Sequence, residues 1–197
     1  WQPFAGVSFG ANSSLPHHAP GMDRLEPGML ILLDTGSRLH GYQSDITRMA
    51  WFGPTEPPRE VSRLVEHVEA AVEAAYTAAR PGVTGGAVDA AARHALTAAR
   101  LGDRFVHRTG HGIGLSVHEA PYLTPGSRDE LVPGSAFTIE PGAYLPGRYG
   151  VRLEDTVIMT TQGPVALTRS PRGGGSVGEG SPGQGNQADD GPHGCDG

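Results

Sequence analysis

Asp34, Asp45, His111, Glu140 and Glu154 are of the types that proteins gather around divalent cations, although they are spread over most of the chain. Each sits in a short, unusual context: LLDTG, SDITR, GHGIGLSVHE, FTIEPG and GVRLEDTV. Four carboxylates and one imidazole make an oxygen-rich donor set. Such a set suits manganese, cobalt or iron, and zinc with less preference, rather than a sulfur-liganded structural site.

Taken singly, these residues have blander readings. Asp34 and Asp45 fall at the ends of two candidate strands joined by a turn around Ser37 to Gly41, and a hairpin would set them side by side. Two carboxylates in contact on a buried face repel each other unless a cation lies between them, yet an aspartate pair is also common in turns and caps. Glu140 follows a strand and precedes Pro141-Gly142, and Glu154 lies inside the apolar strand GVRLEDTVIM. Arg152, two residues before Glu154 and on the same face, allows a plain Arg152–Glu154 surface pair. His111 is enclosed by Gly110, Gly112 and Gly114, between His107 and His118. Glycine there lets neighbouring backbone come close and leaves His111 free to reach a metal. His118-Glu119 does not open a zincin helix, because position 122 is Tyr where H-E-x-x-H needs a second histidine.

The elements that must position these groups read as α+β. Phe4 to Phe9, Met29 to Leu33, Ile46 to Phe52, Ala136 to Ile139 and Val151 to Met159 are strand-like runs bounded by Gly and Pro. Between them, Val61, Leu64, Val65, Val68, Val72, Ala75 and Tyr76 recur at helical spacing and predict one amphipathic helix. Arg80-Pro81-Gly82 stops it, and Thr84 caps a second helix with Val88, Ala91, Ala92, Ala95 and Leu96 inward. His67 and His94 are expected to be surface residues of this antiparallel pair. The order of strands, two helices and strands again predicts helices packed on a curved, antiparallel sheet rather than a parallel βαβ domain.

A length of 197 residues fits one domain with a tail. Net charge of −6 with 15 Lys+Arg and no basic cluster argues against nucleic acid or an anionic membrane as partner. No run of 18 apolar residues is present, and WQPFAGVSFG lacks a secretion-signal pattern, so a cytoplasmic protein is expected. Cys195, the lone cysteine, excludes an internal disulfide. Residues 173–197 are Gly-rich and are expected to be disordered, which makes the G-x-S-x-G match at 174–178 an accident of composition.

From Phe4 to Arg172 the sequence closely resembles the pita-bread metallopeptidases, and among them the Xaa-Pro aminopeptidases and Xaa-Pro dipeptidases (prolidases). SDITR and GVRLEDT are similar to the proline-specific forms rather than to methionine aminopeptidases. The resemblance implies two divalent metal ions, manganese first, with Asp34 on one, His111 and Glu140 on the other, and Asp45 and Glu154 bridging them. It implies hydrolysis of the Xaa-Pro bond at the amino terminus of short peptides by a hydroxide shared between the metals, with Glu140 carrying the proton. His17, or its neighbour His18, and His107 are implied to hold the substrate, and His118 to hold it and to stabilise the oxyanion. Arg152 and Thr47 are implied to stand behind the bridging glutamate. A short proline-containing peptide is the implied partner, with a homodimer as the expected assembly.

The chain departs from the pita-bread pattern in one respect. That fold repeats a helix pair followed by strands, and only the second pair, near 59 to 101, is present. The chain is therefore expected to be amino-terminally truncated relative to the family, with the apolar side of its first strands exposed. An inactive module that binds metal or peptide, and a methionine aminopeptidase, stand as alternatives.

Overall fold

The computed structural model describes residues 4–168, 172 and 175–177. Strand β1 (Phe4–Phe9) pairs antiparallel with β2 (Met29–Leu39), which pairs with β3 (Tyr42–Phe52). The β2–β3 strands run further toward each other than their apolar cores predict, to a two-residue turn at His40-Gly41. Both turn residues have positive φ, 50° and 94°. That geometry matches the twist of the flanking strands, and it closes the hairpin tightly. The resulting register sets Asp34 opposite Thr47 and Asp45 opposite Gly36. Both aspartates consequently share a face, offset by two register pairs rather than directly side by side.

Helix α1 (Arg59–Ala78) and helix α2 (Gly85–Ala98) form the predicted antiparallel pair. Val61, Leu64, Val68, Val72 and Ala75 turn inward from α1, and Val88, Ala92 and Leu96 from α2. The large ones among them contribute on the order of 1.5–3 kcal/mol each by leaving water. Thr84 caps α2, its side chain accepting from the Ala87 N–H. His67 and His94 are exposed, as their spacing predicts.

A second, wholly antiparallel sheet holds β4 (Gly110–Gly112), β5 (Glu119–Leu123), β6 (Ala136–Ile139), β9 (Asp155–Thr160) and β10 (Gly163–Ala166), in the order β10-β9-β6-β4-β5. Strands β7 (Gly142–Leu145) and β8 (Tyr149–Arg152) form a separate hairpin. The single strand expected from Val151 to Met159 is thus two. The chain leaves the partner of β8 and joins β6, and at that crossing the Leu153 and Glu154 N–H groups donate to Pro141 and Thr47 carbonyls instead of to a ladder.

The two sheets meet along β3, where Thr156 Oγ1 donates to the Asp45 carbonyl at 2.7 Å. On the inward side of the first sheet, Leu30, Leu32, Met49 and Trp51 join one core with α1 and α2. The expected exposure is confined to the other side. There Val7 is 47% exposed and Leu33, Ile46 and Phe52 are half-buried. Among the described residues α1 and α2 are the only α-helices, and neither is long and apolar enough to cross a membrane.

Within the tail expected to be disordered, Gly175–Val177 forms a short strand, β11, parallel to Ala50–Phe52 of β3. An edge strand offers unpaired backbone groups to any extended segment nearby, which composition alone does not reveal. The rest of the tail, with Cys195 and the outer glycines of the G-x-S-x-G match, lies outside the described residues.

Helix α2 also aims the loop that leads into β4. Buried Asp89 accepts from both the N–H and the hydroxyl of Thr109 and pairs with Arg93, whose guanidinium donates to the Phe105 and His107 carbonyls. Asp89→Ala leaves these donors without an acceptor and should cost about 3 kcal/mol, lowering Tm by about 10 °C. A thermal melt within 2 °C of wild type, by rough allowance for error, would remove Asp89 from this role.

Candidate metal centre

All five expected ligands line one cavity of about 740 Å³, with His17, His107 and His118 around it and Arg152 beneath. Of the two neighbouring histidines, His17 faces this cavity and His18 does not border it.

Each ligand is delivered by a recognisable local device. Asp34 and Asp45 come from the inward face of the β2–β3 hairpin. His111 comes from β4, where the register against β5 shifts between His111 and Gly112. Such a bulge re-aims a side chain out of the regular pleat. A Cβ on Gly110 would lie 1.9 Å from the Thr138 carbonyl oxygen and one on Gly112 would lie 2.3 Å from that of Ala120, so the neighbouring strands close on His111 only because these positions are glycine. Glu140 follows β6, its N–H donating to the Thr109 carbonyl at 2.7 Å. Glu154 comes from the crossing between β8 and β9.

The resulting constellation is tight. Ligand atoms of Asp45, His111 and Glu154 all lie within 4.8 Å of one another, and all three residues are buried. His111 Nε2 stands 3.1 Å from Glu140 Oε1 and 4.0 Å from Asp45 Oδ2. Its Nδ1 lies 3.1 Å from the Gly112 carbonyl. A hydrogen bond there puts the proton on Nδ1 and leaves Nε2 facing the carboxylates.

Charge at this spot is only partly compensated by protein groups. Burial, followed by the carboxylates of Asp34 and Glu140, pushes Asp45 up to about 7. Burial, with Glu140 and Asp45, holds Glu154 well above the usual carboxylate range. Glu140 moves the other way: burial pushes it upward most strongly but is outweighed by the hydrogen bond and charge of His111, with His107 and Arg152 adding to the effect. His111 is raised in return, the Glu140 bond overcoming its burial. Asp34 Oδ1, Asp45 Oδ1 and Glu154 Oε1 are buried without any hydrogen-bond partner. A buried carboxylate oxygen without a donor is costly, and a cation removes the cost by bonding to it. The residues present therefore fit divalent metal, in a donor set made of oxygen and one imidazole.

The supporting residues depart from one reading of the sequence. Arg152 makes no pair with Glu154. Its guanidinium bonds to Asp34, to the Tyr144 hydroxyl at 3.0 Å, to Thr47 Oγ1 at 3.2 Å and to the Pro16 carbonyl at 3.3 Å. Thr47 in turn donates to Glu154 Oε2 at 2.6 Å. Arg152 thus reaches Glu154 only through Thr47, because the strand break turns the two side chains to different partners. It also ties down the residue before His17.

His107 lines the cavity with both ring nitrogens already engaged: Nδ1 lies 2.8 Å from the Arg108 carbonyl and Nε2 lies 2.8 Å from the Tyr144 hydroxyl. Burial lowers its pKa, so the neutral ring donates from Nδ1 and accepts the tyrosine proton at Nε2. Tyr144 and Thr138 were not singled out by the sequence. Thr138 donates to Glu140 Oε1 at 3.1 Å and accepts from the His111 N–H at 3.1 Å. Its place two residues before Glu140 in a strand, hence on the same face, was the available signal. Nothing comparable marks Tyr144. His118 stacks edge-on against His111, with ring centroids 4.3 Å apart, and burial with the His111 charge lowers its pKa.

Comparisons with known proteins place the chain in a family. The model of metallopeptidase family M24 matches residues 3–161. A probable dipeptidase, PepE, of Mycobacterium tuberculosis is 47% identical over 169 residues, which are 85% of this chain and 44% of that protein. An Xaa-Pro dipeptidase of Lactobacillus delbrueckii subsp. lactis is 41% identical over 166 residues, 84% of this chain and 45% of its own. The crystal structure of the dipeptidase PepE from Mycobacterium ulcerans aligns with a TM-score of 0.85 at 43% identity, covering 89% of this chain and 47% of that one. The chain spans less than half the length of these relatives. With the family model matched from strand β1 through β9 and the fold reproduced over 89% of its length, the chain belongs to metallopeptidase family M24, on the pita-bread branch that its Xaa-Pro dipeptidase relatives occupy.

Proposed function

We propose that this chain is the catalytic module of a metal-dependent peptidase that hydrolyses the Xaa-Pro bond at the amino terminus of short peptides. The observation that carries the reading is the trio of buried, unpartnered oxygens on Asp34, Asp45 and Glu154 around the imidazole of His111. Asp34 would hold one ion, His111 and Glu140 the other, and Asp45 and Glu154 would join both; manganese is the first choice for such donors. Two divalent cations bound there would supply Lewis acidity and a water acidified to serve as nucleophile near neutral pH.

The chain's own groups supply the rest. Glu140 takes the proton of the attacking water on its carboxylate and passes it to the leaving nitrogen. In an Xaa-Pro bond that nitrogen is the proline ring nitrogen, which carries no N–H for an ordinary peptidase to grip. His118 is neutral near pH 7 and can donate to the carbonyl oxygen as charge develops on it. His17, exposed at the cavity wall, is free to hold the substrate backbone. His107, with its nitrogens committed, holds Tyr144 and meets substrate through its ring.

The test is hydrolysis of Ala-Pro, Ala-Pro-Ala and Met-Ala-Ala by the purified 197-residue chain with added manganese, alongside metal content by mass spectrometry. Cleavage of the proline peptides, stopped by chelation, is the expected result. Two bound metals with no cleavage of any peptide would instead support a metal-binding module. Cleavage of Met-Ala-Ala alone would point to a methionine aminopeptidase.

A further inference from the structure

We infer that Arg172, the last residue before the Gly-rich tail, is a positioning residue for Glu154, acting on its backbone through Asp155 and Arg48. Its consequence for metal affinity rests on the metal-centre reading above, in which Glu154 is a ligand.

Glu154 needs support because no strand supplies it. Leu153 and Glu154 lie between β8 and β9, and the Glu154 N–H donates to the Thr47 carbonyl at 3.2 Å instead of to a ladder. Thr47 also donates from its hydroxyl to Glu154 Oε2 at 2.6 Å, so these two residues form the bracket that aims the carboxylate. Arg48 spans the bracket. Its Nη1 donates to the Glu154 carbonyl and, at 3.0 Å, to the Thr47 carbonyl.

The other arm of Arg48 is set by Asp155, whose Oδ1 accepts from Arg48 Nη2 at 2.7 Å and from the Thr168 hydroxyl at 2.5 Å. Asp155 is 3% exposed, and its Oδ2 accepts from Arg172 Nη1 at 2.9 Å. A buried carboxylate keeps its charge and its orientation while it is paired, and removing a partner leaves charge uncompensated.

Arg172 is held in place from elsewhere in the fold. Its Nε and Nη2 grip Glu69 of α1 at 3.0 and 2.8 Å, and Nη2 also pairs with Glu73 one turn further along the same helix face. The planar fork lets one guanidinium serve the helix and Asp155 at once, and it separates three carboxylates that would otherwise repel one another. Beyond Arg172 the chain pairs again, as β11, with Ala50–Phe52 of β3, the strand that carries Arg48. A continuous run of hydrogen bonds therefore leads from α1 and the C-terminal segment to the main chain of a metal ligand.

Manganese isotherms and amide hydrogen exchange test this on the full chain, for wild type, Arg172→Ala, Arg172→Lys, Asp155→Asn and Asp155→Asn with Arg172→Ala, each well below its Tm. Arg172→Ala should weaken manganese binding about 10-fold, as for groups that orient a ligand. Arg172→Lys should recover part of the loss, keeping a cation near Asp155 without the fork. In the Asp155→Asn background Arg172→Ala should add less than about twofold, since the route is already cut. With metal chelated, the Glu154 amide should exchange about 10-fold faster in Arg172→Ala, while the Met159 N–H, which donates to the Ser135 carbonyl, keeps its wild-type rate. Unchanged manganese affinity in Arg172→Ala, additive loss in the Asp155→Asn background, or equal acceleration at Glu154 and Met159 overturns the assignment. Should Arg172→Ala fail to fold, Arg172→Gln is read by the same criteria. A wild type that binds no manganese, with the Glu154 amide still responding to Arg172, sinks the metal centre and leaves the positioning of Glu154 standing.

Discussion

Glu154→Gln should raise the stability of the metal-free chain while removing its response to metal. In wild type, Glu154 is buried among Glu140 and Asp45 with Oε1 unpartnered, and only Thr47 donates to the other oxygen. Glutamine keeps an oxygen for Thr47 and removes the buried charge. Both Glu154 and Asp45, the latter at about 7, bind their protons more tightly folded than unfolded. Their share of metal-free stability is therefore present below the unfolded value near 4 and is lost as pH rises toward 7 and beyond. The gain from Glu154→Gln should accordingly be small at pH 5 and reach about 5 °C in Tm at pH 8, in the presence of chelator. Metal reverses the comparison. A cation at 100 times its Kd adds about 2.7 kcal/mol to wild type, on the order of 5–10 °C, and this increment should grow with pH as protons stop competing for the ligands. Glu154→Gln should show little of it, and turnover of Ala-Pro should fall to background. Asp45→Ala should likewise lose metal and turnover together. Normal metal content with full activity in either variant would remove Asp45 and Glu154 from the bridging role.

Arg152→Ala should be the most destabilising single change near the cavity, by about 3–5 kcal/mol, because it strips the counter-charge and donors from groups that remain buried. Arg152 is 4% exposed and bonds to four partners on three parts of the chain: Asp34 and Thr47 of the β2–β3 hairpin, Tyr144 of β7, and Pro16 beside His17. A Tm lowered by about 10–15 °C is expected. Arg152→Lys keeps the charge but not the planar fork, and should recover the pair with Asp34 while losing most of the remainder. Metal affinity of the surviving folded protein should fall about 10 to 100 times in Arg152→Lys, since Asp34 and Thr47 lose the groups that orient them. A melt and a metal isotherm both matching wild type would mean that the Arg152 contacts do not organise the site.

The helix pair was legible because its information is local: apolar residues every three or four positions, a Pro-Gly stop, and a threonine whose side chain caps the next helix. The strands Phe4–Phe9 and Ala136–Ile139 were bounded correctly for the same reason. The short strands β4, β5, β7 and β10 were not, since three to five residues dense in glycine and proline carry too little periodicity to announce a strand. They exist because a neighbouring strand supplies hydrogen bonds. The same cause explains β11, a three-residue strand in a Gly-rich tail.

For the candidate site, the sequence by itself determined the chemistry on offer. It supplies four carboxylates and one imidazole in a fixed order, each within two residues of a glycine, proline or threonine. Residue type sets donor hardness and charge, and these survive any fold. Only the tertiary structure decided which groups meet. It paired Arg152 with Asp34 rather than with Glu154, committed His107 to Tyr144, and set His17 rather than His18 on the cavity wall. Those outcomes depend on a bulge, a strand crossing and a register between sheets, set by contacts between residues up to a hundred or more positions apart, to which local sequence pattern is blind.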